Sequence, residues 1–306
     1  MGFRVGVAGI GRMGLPIMRH LVGAGFSVSA FDIRRDREKD VTAGGGTWFD
    51  SAGELAESVD VLVTIMPGAP ELRDLMIGTH AALSAMRAAS CWLDLTSNSP
   101  DVAAEVAAAA VEGGVGAVGA PMGGGVVEAE AGVLTFYVGG EEGSLQRVRP
   151  LLAALSDNVG VLHIGRNIRS GYQMKLLVNL LWFGQAVATT EALLLGGAMG
   201  LSVSAMRETF EDSAGGSAFI SRHLDSLLAG DYMESFGLDR VVEELEIITG
   251  LARVNGTSFE VSSTVLSLHR QALERFGPAG GELSVAKLLE ERADRLLRSD
   301  RRLPAP

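Results

Sequence analysis

Apolar residues follow two different rhythms along this chain. In the first half they gather in short continuous runs, FRVGVAG at 3–9, VSAFD at 28–32, VDVLVTIMP at 59–67, CWLDLTS at 91–97 and GVGAVGAP at 114–121, each bounded by Gly, Pro, Asp or Ser. Helix-length amphipathic stretches at 13–25, 71–88 and 101–112 lie between them. Continuous apolar strands alternating with helices predict an α/β fold whose parallel sheet is covered on both faces. LTFYVGG at 134–140 and NVGVLHIG at 158–165 add two strands around a helix containing 148–155. Beyond Gly165 the strand pattern stops. From about 170 to 299 the period is helical, with expected breaks at Gly196-Gly197, Gly215-Gly216 and 278–281. The chain therefore divides into an α/β part, 1–165, and a helical part, 166–306, with a long helix from about Gly171. The alanine-rich run at 103–110 is simply a good helix former, and RRLPAP at the end reads as a loose tail.

Composition narrows the functional classes. Hydrophobic residues make up 47% of 306 residues, and mean hydropathy is +0.25. The uncharged stretch 176–190 contains Asn179 and Gln185 and is shorter than the roughly 20 apolar residues of a membrane span, so the excess apolar content is expected in a core or a subunit interface. A net charge of −11 argues against nucleic-acid and anionic-membrane partners, which need a basic footprint. The N-terminus lacks a basic leader, and Cys91 stands alone, so no internal disulfide forms and a cytoplasmic location is expected. His20, His80, His163, His223 and His269 are scattered without metal-ligand spacing and read as surface or capping residues.

GIGRMG at 9–14 follows the first strand and opens the first helix, the context a dinucleotide fingerprint requires. Gly9 permits the tight turn, Gly11 lets backbone approach a pyrophosphate, and Gly14 lets helix and strand pack closely. Ile10, Arg12 and Met13 complete the loop. Asp32 ends the next strand, eighteen residues after Gly14, where a carboxylate accepts from ribose hydroxyls and repels a 2′-phosphate. With Ile33 beside it, this favours NAD over NADP, although Arg34, Arg35 and Arg37 leave NADP open. Further cofactor contacts are expected at carboxyl ends of other strands: Met66, Pro67, Thr96 and Ser97, with Asn98 on the same rim.

In the helical half, 171–200 carries two ionisable charges, Lys175 and Glu191. Lys175 and Asn179, four residues apart, project about 40° apart from one helix face, whereas Glu191 lies roughly 160° around. Apolar surroundings disfavour the ammonium and bring the amine from about 10.4 toward proton exchange near neutrality. Beside a nicotinamide such an amine serves as general base for alcohol oxidation and general acid for carbonyl reduction.

GIGRMGLP, DLTSNSP at 94–100, GAPMGGGVVEAEAGVLTFYVGG at 119–140 and SGYQMKLLVN at 170–179 together resemble the β-hydroxyacid dehydrogenase family, which includes 3-hydroxyisobutyrate dehydrogenase and tartronate semialdehyde reductase. The resemblance implies that 1–165 is a Rossmann-type dinucleotide-binding domain and 166–306 an all-helical substrate and oligomerisation domain. It further implies a homodimer or homotetramer that transfers hydride between NAD(P) and a 3-hydroxy acid or its semialdehyde, with Lys175 catalytic and Asn179 orienting the substrate. Gly123, Gly124, Gly125 and Ser97 fall at its substrate loops. The chain departs from the family in four places: Gly119 replaces an aspartate, Gly123 a serine, Val178 an asparagine, and Glu243-Glu244 a Lys-Asp pair. A cleft-facing Glu243 would disfavour a small carboxylate and suit a neutral or cationic substrate. Imine reductases, which share the architecture but do not characteristically keep the lysine, are the alternative enzyme class; a non-catalytic NAD-binding assembly protein is the alternative outside enzymes.

Overall fold

Val, Ile and Leu at successive positions leave a strand no polar face, so it is stable only when buried on both sides. A computed structural model, describing residues 3–157 and 159–298, has this arrangement. The strands are β1 (Arg4–Ala8), β2 (Ser27–Phe31), β3 (Thr47–Trp48), β4 (Val61–Thr64), β5 (Cys91–Asp94), β6 (Gly116–Gly119), β7 (Met122–Gly123), β8 (Thr135–Gly140) and β9 (Val161–Gly165). They form one sheet in the order β3-β2-β1-β4-β5-β6-β8-β7, with β9 against β8. The strands from β3 to β6 are mutually parallel. β8 runs antiparallel to β6 and β7, so the sheet is mixed at that edge. The two-residue strands β3 and β7 are too short for a periodicity signal. Ile17, Met18 and Leu21 cover one face with Leu145, Val148 and Leu152; Leu55, Leu72 and Val106 cover the other with Trp92 and Tyr172.

The expected helix at 71–88 is two helices, Ala69–Ile77 and Ala82–Ala85. Asp74 ends the first by accepting the Thr79 N–H at 3.0 Å, a side-chain bond that competes with helix propagation. The long helix runs Arg169–Ala198 and passes through Gly196-Gly197. A Cβ at Gly196 would lie 2.2 Å from Met206 Sδ, so that glycine serves close packing. Gly200, at φ +88, terminates the helix instead, with Leu201 N–H bonded back to Gly196 O at 3.0 Å.

Two compact units comprise Met1–Lys175 and Leu176–Pro306. The division falls ten residues beyond position 165 because the first turns of the long helix pack on the sheet: a Cβ at Gly171 would lie 2.2 Å from Tyr137 O. In the second unit the helices Val203–Glu211, Leu238–Val254, Glu260–Phe276 and Ser284–Arg292 enclose a core of Phe183, Leu193, Phe219, Leu227, Leu245 and Leu289. The RRLPAP tail lies outside the described residues.

His269 departs from its expected surface role. It is fully buried, with Nδ1 2.9 Å from Val265 O and its ring tilted against Phe183. Burial lowers its pKa from 6.5 to about 4. The folded protein thus resists a proton that the unfolded chain accepts. His269 stabilises fully above pH 6.5 and loses that contribution as pH falls toward 4, on the order of 3 kcal/mol in all. Urea midpoints measured between pH 7 and 4 are expected to fall more steeply for the native protein than for His269→Phe.

Candidate active site

The fingerprint loop closes the β1 end through sterics that only glycine meets. Gly9 has φ +96, and a Cβ there would sit 2.3 Å from Ile65 O. At Gly14 a Cβ would sit 1.8 Å from Gly9 O, so helix and loop touch backbone to backbone. Gly11 has nothing within 4 Å, which leaves its backbone open to a ligand. The helix Gly14–Gly23 has no side-chain cap at Met13; its Leu15 N–H is taken by Gly11 O at 3.2 Å and Pro16 has none, so what it turns to that open space is chiefly its positive dipole end. Ile10 is buried with its N–H donated to Asp32, while Arg12 is exposed. A positive helix end beside an open glycine fits the pyrophosphate of a dinucleotide.

Asp32 braces the same loop. Its carboxylate accepts the Ile10 N–H at 2.7 Å and the Arg34 N–H at 2.8 Å, while Ile33 beside it is exposed. The three arginines already face carboxylates: Arg34 meets Asp32 at 3.5 Å, Arg35 meets Asp50 at 2.6 Å and Arg37 meets Asp40 at 3.0 Å.

At the ends of β4 and β5, Thr96 Oγ1 accepts the Met66 N–H at 3.0 Å, so its hydroxyl holds the rim together. Ser97 is half-buried and Pro67 exposed. Asn98 turns inward: its Oδ1 accepts the Ser99 N–H at 2.7 Å, and its Nδ2 is buried without a partner among the described residues. Beneath the rim lies a carboxylate that periodicity did not single out. Asp94, fully buried, accepts from Thr64 Oγ1 and Tyr172 Oη at 2.7 Å each, and Trp92 Nε1 donates to Thr64 Oγ1 at 2.9 Å. Burial pushes the Asp94 carboxyl upward against hydrogen bonds from Thr96, Thr64 and Tyr172. Burial and the Asp94 charge push the Tyr172 phenol well up. Tyr172 sits three residues before Lys175, so its bond to Asp94 fixes the rotation of that helical turn. It also explains the departure at 119, where a Cβ would lie 2.4 Å from Tyr172 Cε2: the ring occupies the room a side chain would need.

In the glycine loop after β6, Gly124 has φ +105 and is exposed with Gly125. The Gly125 N–H is taken by Glu128 Oε2 at 2.8 Å, which removes one donor from the loop. In the helical unit, Asn179 Nδ2 donates to Glu244 Oε2 at 2.5 Å, and Glu244 is 7% exposed. Glu243, the expected neighbour of the site, instead pairs with Arg240 at 2.8 Å and its side chain is 42% exposed. One helical position, about 100° of rotation, separates the two: Glu244 shares the buried face of Val241, Leu245 and Ile248.

Residues 4–165 match the NAD binding domain of 6-phosphogluconate dehydrogenase, and residues 170–289 match the NAD-binding region of NADP-dependent 3-hydroxyisobutyrate dehydrogenase. The chain belongs to the β-hydroxyacid dehydrogenase family. It is 30% identical over 272 residues to 2-(hydroxymethyl)glutarate dehydrogenase of Eubacterium barkeri, covering 89% of this chain and 88% of that one. A Mycobacterium tuberculosis 3-hydroxyisobutyrate dehydrogenase structure with L-serine superposes with TM-score 0.85 at 26% identity, covering 94% of this chain and 99% of that one. An imine reductase from Myxococcus stipitatus, in complex with NAD+, is 16% identical with TM-score 0.65 over 94% of this chain and all of that one, a likeness of fold alone. This β-hydroxyacid dehydrogenase is accordingly an NAD(P)-dependent oxidoreductase acting on CH–OH groups.

Proposed function

We propose that this enzyme interconverts a 3-hydroxy acid and its carbonyl partner, with Lys175 as general acid/base and Asn179 orienting the substrate. The observation that carries the reading is the helical spacing of these two residues, combined with the Asn179–Glu244 bond at 2.5 Å. A carboxylate accepts, so the bond holds the amide with its nitrogen toward Glu244 and sets which way the Asn179 side chain faces. Bound at the Gly9–Gly14 loop, the coenzyme supplies a nicotinamide that accepts or returns hydride. Lys175 takes the hydroxyl proton in oxidation and gives it back in reduction. Because Glu243 is occupied by Arg240, the reading needs no exclusion of small carboxylates. Measuring NAD(P)H formation over a panel of 3-hydroxy acids, 3-hydroxyisobutyrate and L-serine among them, tests it; turnover of cyclic imines in preference to every hydroxy acid would defeat it.

NAD is the proposed coenzyme, since Asp32 is fixed by two backbone N–H groups at the strand end and all three nearby arginines are paired. Asp32→Asn, which keeps an acceptor for Ile10, is expected to lower the NAD-over-NADP ratio of kcat/KM about tenfold or more. An unchanged ratio would remove Asp32 as the discriminator.

A homo-oligomer in the cytoplasm completes the proposal. Leu177, Leu181 and Leu195 are exposed on the long helix, and residues eighteen apart repeat after five turns. By length and composition that helix is apolar enough to cross a membrane, and 39% of its most apolar stretch is buried; a second copy would cover its exposed leucines. Sedimentation at a multiple of 32.0 kDa checks this, and a monomer would refute it.

A further inference from the structure

Gly123 lacks a side chain, and a tyrosine from the neighbouring strand lies against the gap. β7 pairs with β8 so that Gly123 faces Thr135. Along β8, Phe136 and Val138 enter the core fully buried, whereas Thr135 and Tyr137 are half-buried on the opposite face. A Cβ built on Gly123 would lie 3.4 Å from Tyr137 Oη and Cε2 and 3.5 Å from Thr135 Cβ. The Tyr137 N–H reaches Pro121 O at 3.1 Å, which places this residue level with chain that has already left the carboxyl end of β6, the rim where ligands bind in such sheets.

The Tyr137 hydroxyl has no hydrogen-bond partner among the described residues, and burial alone acts on its ionisation, raising its pKa. It is therefore a neutral donor throughout the working pH range. A donor is what the loop needs, because Glu128 occupies the Gly125 N–H. The residue is half-buried, so a ligand can take this hydroxyl without displacing a protein partner.

We propose that Tyr137 is a substrate-binding residue whose hydroxyl donates to a carboxylate oxygen of the substrate held at the Gly123–Gly125 loop. The inference rests on the hydroxy-acid reading above. It adds a specificity-determining group from β8, and it gives Gly123 a role: the missing side chain is the opening through which the phenol reaches the ligand.

The test compares native enzyme, Tyr137→Phe and the double variant Gly123→Ser/Tyr137→Phe with 3-hydroxyisobutyrate and L-serine as substrates. Tyr137→Phe is expected to raise KM for the better substrate about tenfold or more, the loss of one hydrogen bond to a charged group. Its kcat, coenzyme Kd and Tm should stay near native, because the ring is kept. The double variant should recover most of the KM, since φ at Gly123 is not positive and its Cβ position is at ordinary contact distance, which lets a serine hydroxyl enter the space of the lost phenol oxygen. An active native enzyme with unchanged KM in Tyr137→Phe overturns this inference alone, as does a KM rise that comes with a lowered Tm and no recovery in the double variant. No turnover of any hydroxy acid by the native enzyme takes down both this inference and the reading beneath it.

Discussion

Lys175→Met is expected to lower kcat about 10³-fold while leaving coenzyme affinity near native, because proton transfer by a positioned side chain contributes roughly 10²–10⁴-fold. Methionine keeps the length and apolar stem of lysine and removes only the amine. The dinucleotide loop, Gly9–Gly14 with Asp32, is built from backbone contacts in β1 and β2 and does not use Lys175, so binding and turnover separate cleanly. A loss of 10³ corresponds to about 4 kcal/mol of transition-state stabilisation. Two further signatures distinguish proton transfer from a packing defect. The pH limb of kcat set by the amine should disappear in the variant, and added small primary amines should restore part of the rate. A variant with native kcat would end the role of Lys175; one that loses coenzyme affinity and Tm together would assign it to structure.

The parts of this site that were legible in sequence are those whose geometry is local. Gly9, Gly11 and Gly14 lie within six residues, and each has a distinct steric reason to lack a side chain: positive φ, open space above the backbone, and a 1.8 Å approach to Gly9 O. Lys175 and Asn179 are likewise related by one helical turn. Pattern resemblance picked out Glu243, which pairs with Arg240, while its neighbour Glu244 is the buried one that holds Asn179. The apolar spacing Val241, Leu245, Ile248 already sets the phase of that helix and puts 244 on its buried face. The same holds for His269, which shares a stripe with Val265, Leu266 and Ala272 and whose burial follows from that spacing.

What sequence spacing could not reveal is pairing between distant elements. Tyr172 and Gly119 are 53 residues apart, and the Tyr137 ring comes within reach of Gly123 only because β8 runs antiparallel to β7. At two of the four departures from the family pattern, Gly119 and Gly123, a glycine meets a tyrosine ring. Glycine and ring are neighbours in space and distant positions in the chain. A buried aspartate ending a continuous apolar strand, as in CWLD, is the one local signal that a polar partner must exist for it.

The Gly119–Tyr172 contact yields the largest expected effect on stability. Adding one methyl at Gly119 would place it 2.4 Å from Tyr172 Cε2 and 2.8 Å from Tyr172 Cζ and Oη. The ring cannot give way cheaply. It is 1% exposed, packed with Trp92 and Leu72, and tied by its hydroxyl to Asp94 at 2.7 Å. Gly119→Ala is therefore expected to cost about 3 kcal/mol, at the upper end for overpacking, because relieving the clash also strains a bond to a buried carboxylate. Tyr172→Ala should cost about 4 kcal/mol through the cavity it opens and the donor it removes. In the double variant Gly119→Ala/Tyr172→Ala the methyl enters vacated space, so its own cost should vanish and the total should fall well below the sum of about 7 kcal/mol. Urea unfolding of the four proteins measures this coupling directly. Strict additivity would show that the ring and the glycine do not share the space assigned to them, and the account of why this chain carries glycine at 119 would fall with it.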